Sequence, residues 1–203
     1  NLMKNSEKIV LLFVAIFICQ FAIAQSENAI PESDLPYYEI PEYSKEYTAG
    51  SVAARMVDAL GFRFYWSSEG LRQVDLDYKP NPEARSTKET IDHILDLSYI
   101  IVNSTLKLAN GKNESKGMDF NKKRAQVLIN LKTAADLLRG SNDISEFEII
   151  FGNNRIPFWN QVNGPIADAI WHTGQLASFR RTSGNPINPN INHFRGTVNK
   201  KSD

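Results

Sequence analysis

Cysteine is nearly absent from this chain: of 203 residues only Cys19 is one. It sits in an N-terminal apolar segment, and the bulky Ile18 before it argues against lipidation, which wants a small residue there. The rest of the chain therefore offers no disulfide, no thiolate ligand and no cysteine nucleophile. An excess of one charge is absent too, since 23 basic and 23 acidic residues give a formal net charge of zero. That balance lacks the basic surplus of nucleic-acid binders and of proteins held on anionic membranes. There is no internal repeat, no convincing alternating strand, and no uninterrupted apolar run of the roughly 20 residues that a membrane span needs. Histidine is scarce as well, with three in the chain.

What is present suffices for one domain with a substantial core, at 42% hydrophobic residues. Lys4 and Lys8 precede the apolar run from Ile9 to Ile18, and a small-x-small site follows at Ala22-Ile23-Ala24 before Gln25. This order predicts a signal peptide over residues 1–24, export to the periplasm or beyond, and no stable membrane span after cleavage. Residues 25–47 read as a linker or surface arm broken by Pro31, Pro36 and Pro41, with Tyr37, Tyr38, Tyr43 and Tyr47 either docked on the domain or loose. A helical domain is expected over 48–182, and an irregular tail over 183–203.

Four helices are predicted inside that domain. The first runs from about Ser51 to Glu69 on the period of Val52, Met56, Leu60 and Phe64, with Arg55, Asp58 and Arg63 off that face and Gly61 weakening it slightly. The second opens on the capping box Ser86-Thr87-Lys88-Glu89 and carries Ile91, Ile94, Leu95, Ile101 and Leu108. The third, about Phe120 to Arg139, has the cleanest period, through Arg124, Val127, Leu128, Leu131, Ala134, Ala135 and Leu138, and ends at Gly140. Phe147 to Phe151 read as a short buried segment. The fourth helix follows Phe158-Trp159, with Pro165 in its first turn and its end near Arg181. Gly- and Pro-marked connections between amphipathic helices imply an all-α four-helix bundle.

In the fourth helix Asp168 and His172 fall at i and i+4, so both side chains leave one face, with Gln175 a turn further on and Gly174 open to a close neighbour. A carboxylate and an imidazole so spaced can share a metal ion. Spacing alone favours an ordinary helical Asp–His pair, worth a few tenths of a kcal/mol. His93 lines up with Leu97 and Ile100 at the border of the second helix's apolar stripe, where a lone histidine is usually satisfied by a hydrogen bond. Its neighbours Asp92 and Asp96 should point away, and His193, in the tail, reads as a surface residue.

Two segments together resemble the DinB-like (DinB/YfiT) superfamily of four-helix metalloenzymes. One is Tyr78-Lys79-Pro80-Asn81-Pro82 through Ser86 to Ile91-Asp92-His93-Ile94, similar to the family's proline-containing approach to its first metal-binding histidine. The other is Asp168-Ala169-Ile170-Trp171-His172-Thr173-Gly174-Gln175, similar to its last-helix H-x-x-x-H with a Gly-Gln step. The likeness covers roughly Ser51 to Arg181. It implies a divalent transition-metal site (zinc, nickel, iron or manganese) made by His93, Asp168 and His172, with Asp168 standing where the family more often has histidine. The added carboxylate disfavours the softest ions.

Three protein ligands would leave a position for water or an unidentified small-molecule substrate, so the enzyme reading is a metal-dependent hydrolase, with Gln175 touching the water, orienting a ligand or simply packing. The family also includes transferases that use small cytosolic thiols, and the export signal argues against that activity. A non-catalytic exported bundle is the competing reading, favoured by the lack of an evident general base. Relatives often pair through helix faces, which allows a homodimer here.

Overall fold

Three of the helices begin where a capping side chain precedes an apolar period. The computed structural model describes residues 30–111, 115 and 117–199 of the chain. The predicted signal peptide and Cys19 lie outside the described residues. α1 (Ala49–Ser68) is capped reciprocally by Thr48 and Ser51, a box that the sequence reading missed by starting this helix two residues late. α2 (Thr87–Thr105) is capped by the expected box: the Ser86 N–H donates to Glu89 Oε2 at 2.7 Å, and the Glu89 N–H donates back to Ser86 Oγ at 3.1 Å. Those bonds and the nearby Lys79 hold the Glu89 carboxyl down at about 2. α3 (Phe120–Gly140) starts on Asp119, whose carboxylate accepts from the Lys122 N–H. α4 spans Ala167–Thr182.

The described chain is mostly helical with a few short strands, as an all-α reading requires. Each long helix packs chiefly on two others: α1 and α2 both lie against α3 on one side and α4 on the other. Their shared core holds Leu60 and Phe64 of α1, Ile94 and Ile101 of α2, Leu128 and Leu131 of α3, and Ile166 and Leu176 around α4. α2 ends at Thr105, so Leu108 lies beyond the helix and is exposed, contrary to its predicted place on the apolar side.

α1 departs most from its expected pattern. Val52 is half exposed, whereas Val57, Asp58, Gly61, Phe62 and Tyr65 are buried, because α1 is covered on more than its bundle face. From Leu35 onward the predicted arm is docked on it. Trp66 Nε1 donates to the Tyr38 carbonyl at 3.1 Å, Arg55 Nη1 donates to the Pro41 carbonyl at 2.7 Å, and Arg55 stacks over Tyr43. Tyr47 is left exposed. Residues Ile30–Asp34, with one 3₁₀ turn at Glu32–Asp34, do not belong to the unit that begins at Leu35.

Gly61, a propensity cost in the sequence, has a packing reason: a Cβ there would sit 2.4 Å from the ring of Tyr37. Gly61→Ala should therefore cost about 1–3 kcal/mol by overpacking, against the ~1 kcal/mol that Ala gains over Gly in a helix. A variant more stable than the parent in urea unfolding would show that Tyr37 is not held there.

The tail, expected to be irregular, carries one regular piece between residues 191 and 198. A hairpin of β4 (Ile191–Asn192) and β5 (Thr197–Val198) pairs Ile191 with Val198, following the earlier strands β1 (Ala109–Asn110), β2 (Ile149–Phe151) and β3 (Asn154–Ile156). The hairpin meets the arm, with the Ile40 N–H donating to the Gly196 carbonyl at 2.8 Å and the Val198 N–H donating to Glu39 Oε1 at 2.8 Å. β1 runs parallel to β2, which pairs antiparallel with β3, so Phe147 and Ile149 are buried while Phe151 is exposed. Strands of two or three residues are too short for alternation to register in sequence.

Pro165 is also misplaced by the sequence reading. The helical path begins earlier, at Phe158–Gln161, passes through a π turn at Val162–Ile166 that contains Pro165, and continues as α4. A π turn widens the backbone ladder, which accommodates a residue with no N–H to donate. Gly174 meets no neighbouring helix, because nothing lies within 4 Å of where its Cβ would be.

Candidate metal centre

α2 and α4 pack against each other, and the contact brings His93 of α2 beside Asp168 and His172 of α4. His93 Nε2 lies 3.1 Å from Asp168 Oδ2, and His172 Nε2 lies 3.4 Å from Asp168 Oδ1. The imidazoles meet edge to face with centroids 4.6 Å apart, and one ligand atom from each of the three residues lies within 4.8 Å of the others. First-row ions bind such ligands at about 2.0–2.1 Å, which in a tetrahedron spaces the donor atoms roughly 3.3 Å apart. Each imidazole lies near that spacing from one oxygen of Asp168, His93 from Oδ2 and His172 from Oδ1. The group could hold a metal ion, and among the described residues it is the one set of three ligating side chains close enough to do so.

Exposure sets what such a site can do. The side chains of His93, Asp168 and His172 are 28%, 39% and 15% exposed, so the cluster lies at the bundle surface within reach of water and small molecules.

Gln175 acts on His172. Its Oε1 lies 2.8 Å from His172 Nδ1, and an amide oxygen can only accept, so this contact is a hydrogen bond in the tautomer with the proton on Nδ1. Nε2 then turns its lone pair toward Asp168 Oδ1, itself an acceptor. Holding the far ring nitrogen from outside is how metal-ligating histidines are commonly oriented.

The other candidates fall away from the cluster. Asp92 pairs with Lys123 of α3 at 2.5 Å, and Asp96 is on the exposed side of α2. His193 lies exposed on the hairpin with its ring edge-on to Phe62, where partial desolvation and then Arg63 lower its pKa. Sequence reasoning missed the π turn just before Asp168, for which a Pro inside a helical period is the only signal. It also placed Asp58 off the apolar face, whereas Asp58 is wholly buried between Tyr37 and Arg139.

No family model, curated protein or solved structure matches this chain. Among the described residues no helix is long and apolar enough to cross a membrane.

Proposed function

We propose that this chain is an exported DinB-like four-helix protein that holds one divalent transition-metal ion on His93, Asp168 and His172 and hydrolyses a small-molecule substrate there. The convergence of these three side chains from two helices carries the reading, because one ligand atom from each lies within 4.8 Å of the others. Zinc, nickel, iron or manganese would supply a Lewis acid and a bound water of lowered pKa. Asp168 contributes a hard oxygen and a negative charge, and Gln175 fixes the tautomer in which His172 Nε2 is the donor atom.

One observation favours a second reading, a non-catalytic exported bundle. Among the described residues no further carboxylate joins the cluster to serve as general base. Turnover of a model ester or amide that depends on added metal would decide for the enzyme.

Elemental analysis of the chain from Gln25 onward should find about one equivalent of transition metal, lost on His93→Ala or His172→Ala. A well-folded protein that takes up no metal on reconstitution would end the metalloenzyme reading.

A further inference from the structure

The metal cluster is not isolated on the surface. Beside it runs a groove of about 590 Å³, within the size range of small-molecule sites. Its walls are Leu97 and Ile100 of α2, Phe151 of β2, Pro165 of the π turn, and Trp171 of α4, and Asp168 itself forms part of the lining. Apart from Asp168 and Asn163 the lining side chains are apolar, and no lysine or arginine is among them. Trp171 and Phe151 are 73% and 43% exposed at its rim, apolar surface that a ligand would remove from water.

The groove and the cluster are in register. Leu97 and Ile100 continue His93 along one face of α2, at i+4 and i+7, while Trp171 follows Asp168 along α4 at i+3 and Gly164 lines the groove from the π turn before it. At 1.5 Å per residue, the seven residues from His93 to Ile100 cover about 10 Å, the reach of a medium-length acyl chain. The geometry points to a substrate with a polar head at the His93–Asp168–His172 cluster and a neutral, apolar tail, such as a medium acyl chain, lying in this groove. An anionic or strongly polar tail would find no partner there. This assignment rests on the metal-site reading above.

Gly164 provides a test that spares the ligands. It lines the groove, its backbone is not in the left-handed region, and nothing lies within 4 Å of an added Cβ. Gly164→Leu should therefore fill the groove without displacing the bundle. The probes are butanohydroxamate and octanohydroxamate, which share a metal-chelating head and differ by four methylenes. Both are titrated calorimetrically into zinc-loaded protein whose zinc content is measured in the same sample. Each buried methylene is worth roughly a fourfold gain in affinity, so the longer probe should bind about 250-fold tighter. In Gly164→Leu the zinc should stay and the preference should fall below about tenfold.

Equal affinities for the two probes in zinc-loaded protein would overturn the groove assignment and leave the metal reading standing. So would a preference that survives Gly164→Leu, since the tail would then lie elsewhere. Protein that takes up none of zinc, nickel, iron or manganese would overturn the metal reading, and the assignment with it. Should Gly164→Leu not fold, Trp171→Ala at the exposed rim removes one wall and carries the same expectation of a reduced preference.

Discussion

Alanine at His172 is expected to abolish tight metal binding, and alanine at Gln175 to weaken it by about 10- to 100-fold without changing the saturating stoichiometry. The two effects separate a ligand from the group that orients it. His172 is the least exposed member of the cluster, and its Nε2 is the donor atom only while Nδ1 holds a proton. Gln175→Ala removes the acceptor that keeps the proton on Nδ1, so the ring must be turned and its tautomer selected at the cost of binding energy. Competition against a chromophoric chelator reads both affinities. An unchanged constant in Gln175→Ala would reduce Gln175 to packing, and retention of tight binding in His172→Ala would move the site off this cluster. Gln175→Glu gives an internal check, since its carboxylate still accepts from Nδ1–H and should restore most of the affinity.

How much of this was legible in the sequence depends on which force shaped each element. The start of α2 and both ends of α3 were read nearly to the residue, because local signals agree there: a capping box or acidic cap, a clean apolar period, and a glycine at the end of α3. The joint placement of Asp168, His172 and Gln175 followed from helical spacing, which the π turn upstream does not disturb. That His93 meets them is a tertiary fact, suggested by the family resemblance and by no local pattern. α1 was the least readable helix, since periodicity detects one buried face and α1 has more. The arm and the hairpin that cover it are held by single backbone bonds such as Ile40 N–H to Gly196 C=O, which leave no mark on hydrophobic pattern. For the same reason Gly61 looked like a defect when it is the seat of Tyr37, a residue itself in a left-handed conformation at φ 78°.

Arg139→Ala should produce the largest loss of stability, about 3–5 kcal/mol at neutral pH, and a loss that shrinks in acid. Asp58 has no exposed side-chain surface, and Arg139 Nη2 donates to its Oδ2 at 2.9 Å while the Tyr37 hydroxyl donates to Oδ1 at 3.2 Å. Removing the guanidinium leaves a buried carboxylate with one neutral donor. Burial already raises the Asp58 pKa above the usual carboxylate range, with the Arg139 hydrogen bond and charge the main opposing causes. A carboxyl whose pKa is higher folded than unfolded binds its proton more tightly in the native state. Its contribution to stability therefore falls as pH rises through the folded pKa and is recovered as pH falls toward the unfolded value near 3.9. Loss of Arg139 raises the folded pKa further, so the variant's deficit should be greatest at pH 7 and smaller at pH 5. Asp75 acts in the opposite sense, because Arg72 above all, aided by Ser183 and Asn185, holds its carboxyl well below the ordinary range and its contribution is lost on acidification. Asp75 is the same in parent and variant, so its effect cancels in the difference between their urea midpoints. An equal deficit at both pH values would mean that the lost packing of the arginine stem, not the stranded charge, sets the cost. The ligand cluster lies on α2 and α4 while Arg139 ties α3 to α1, so metal stoichiometry should be unchanged in whatever fraction of the variant stays folded.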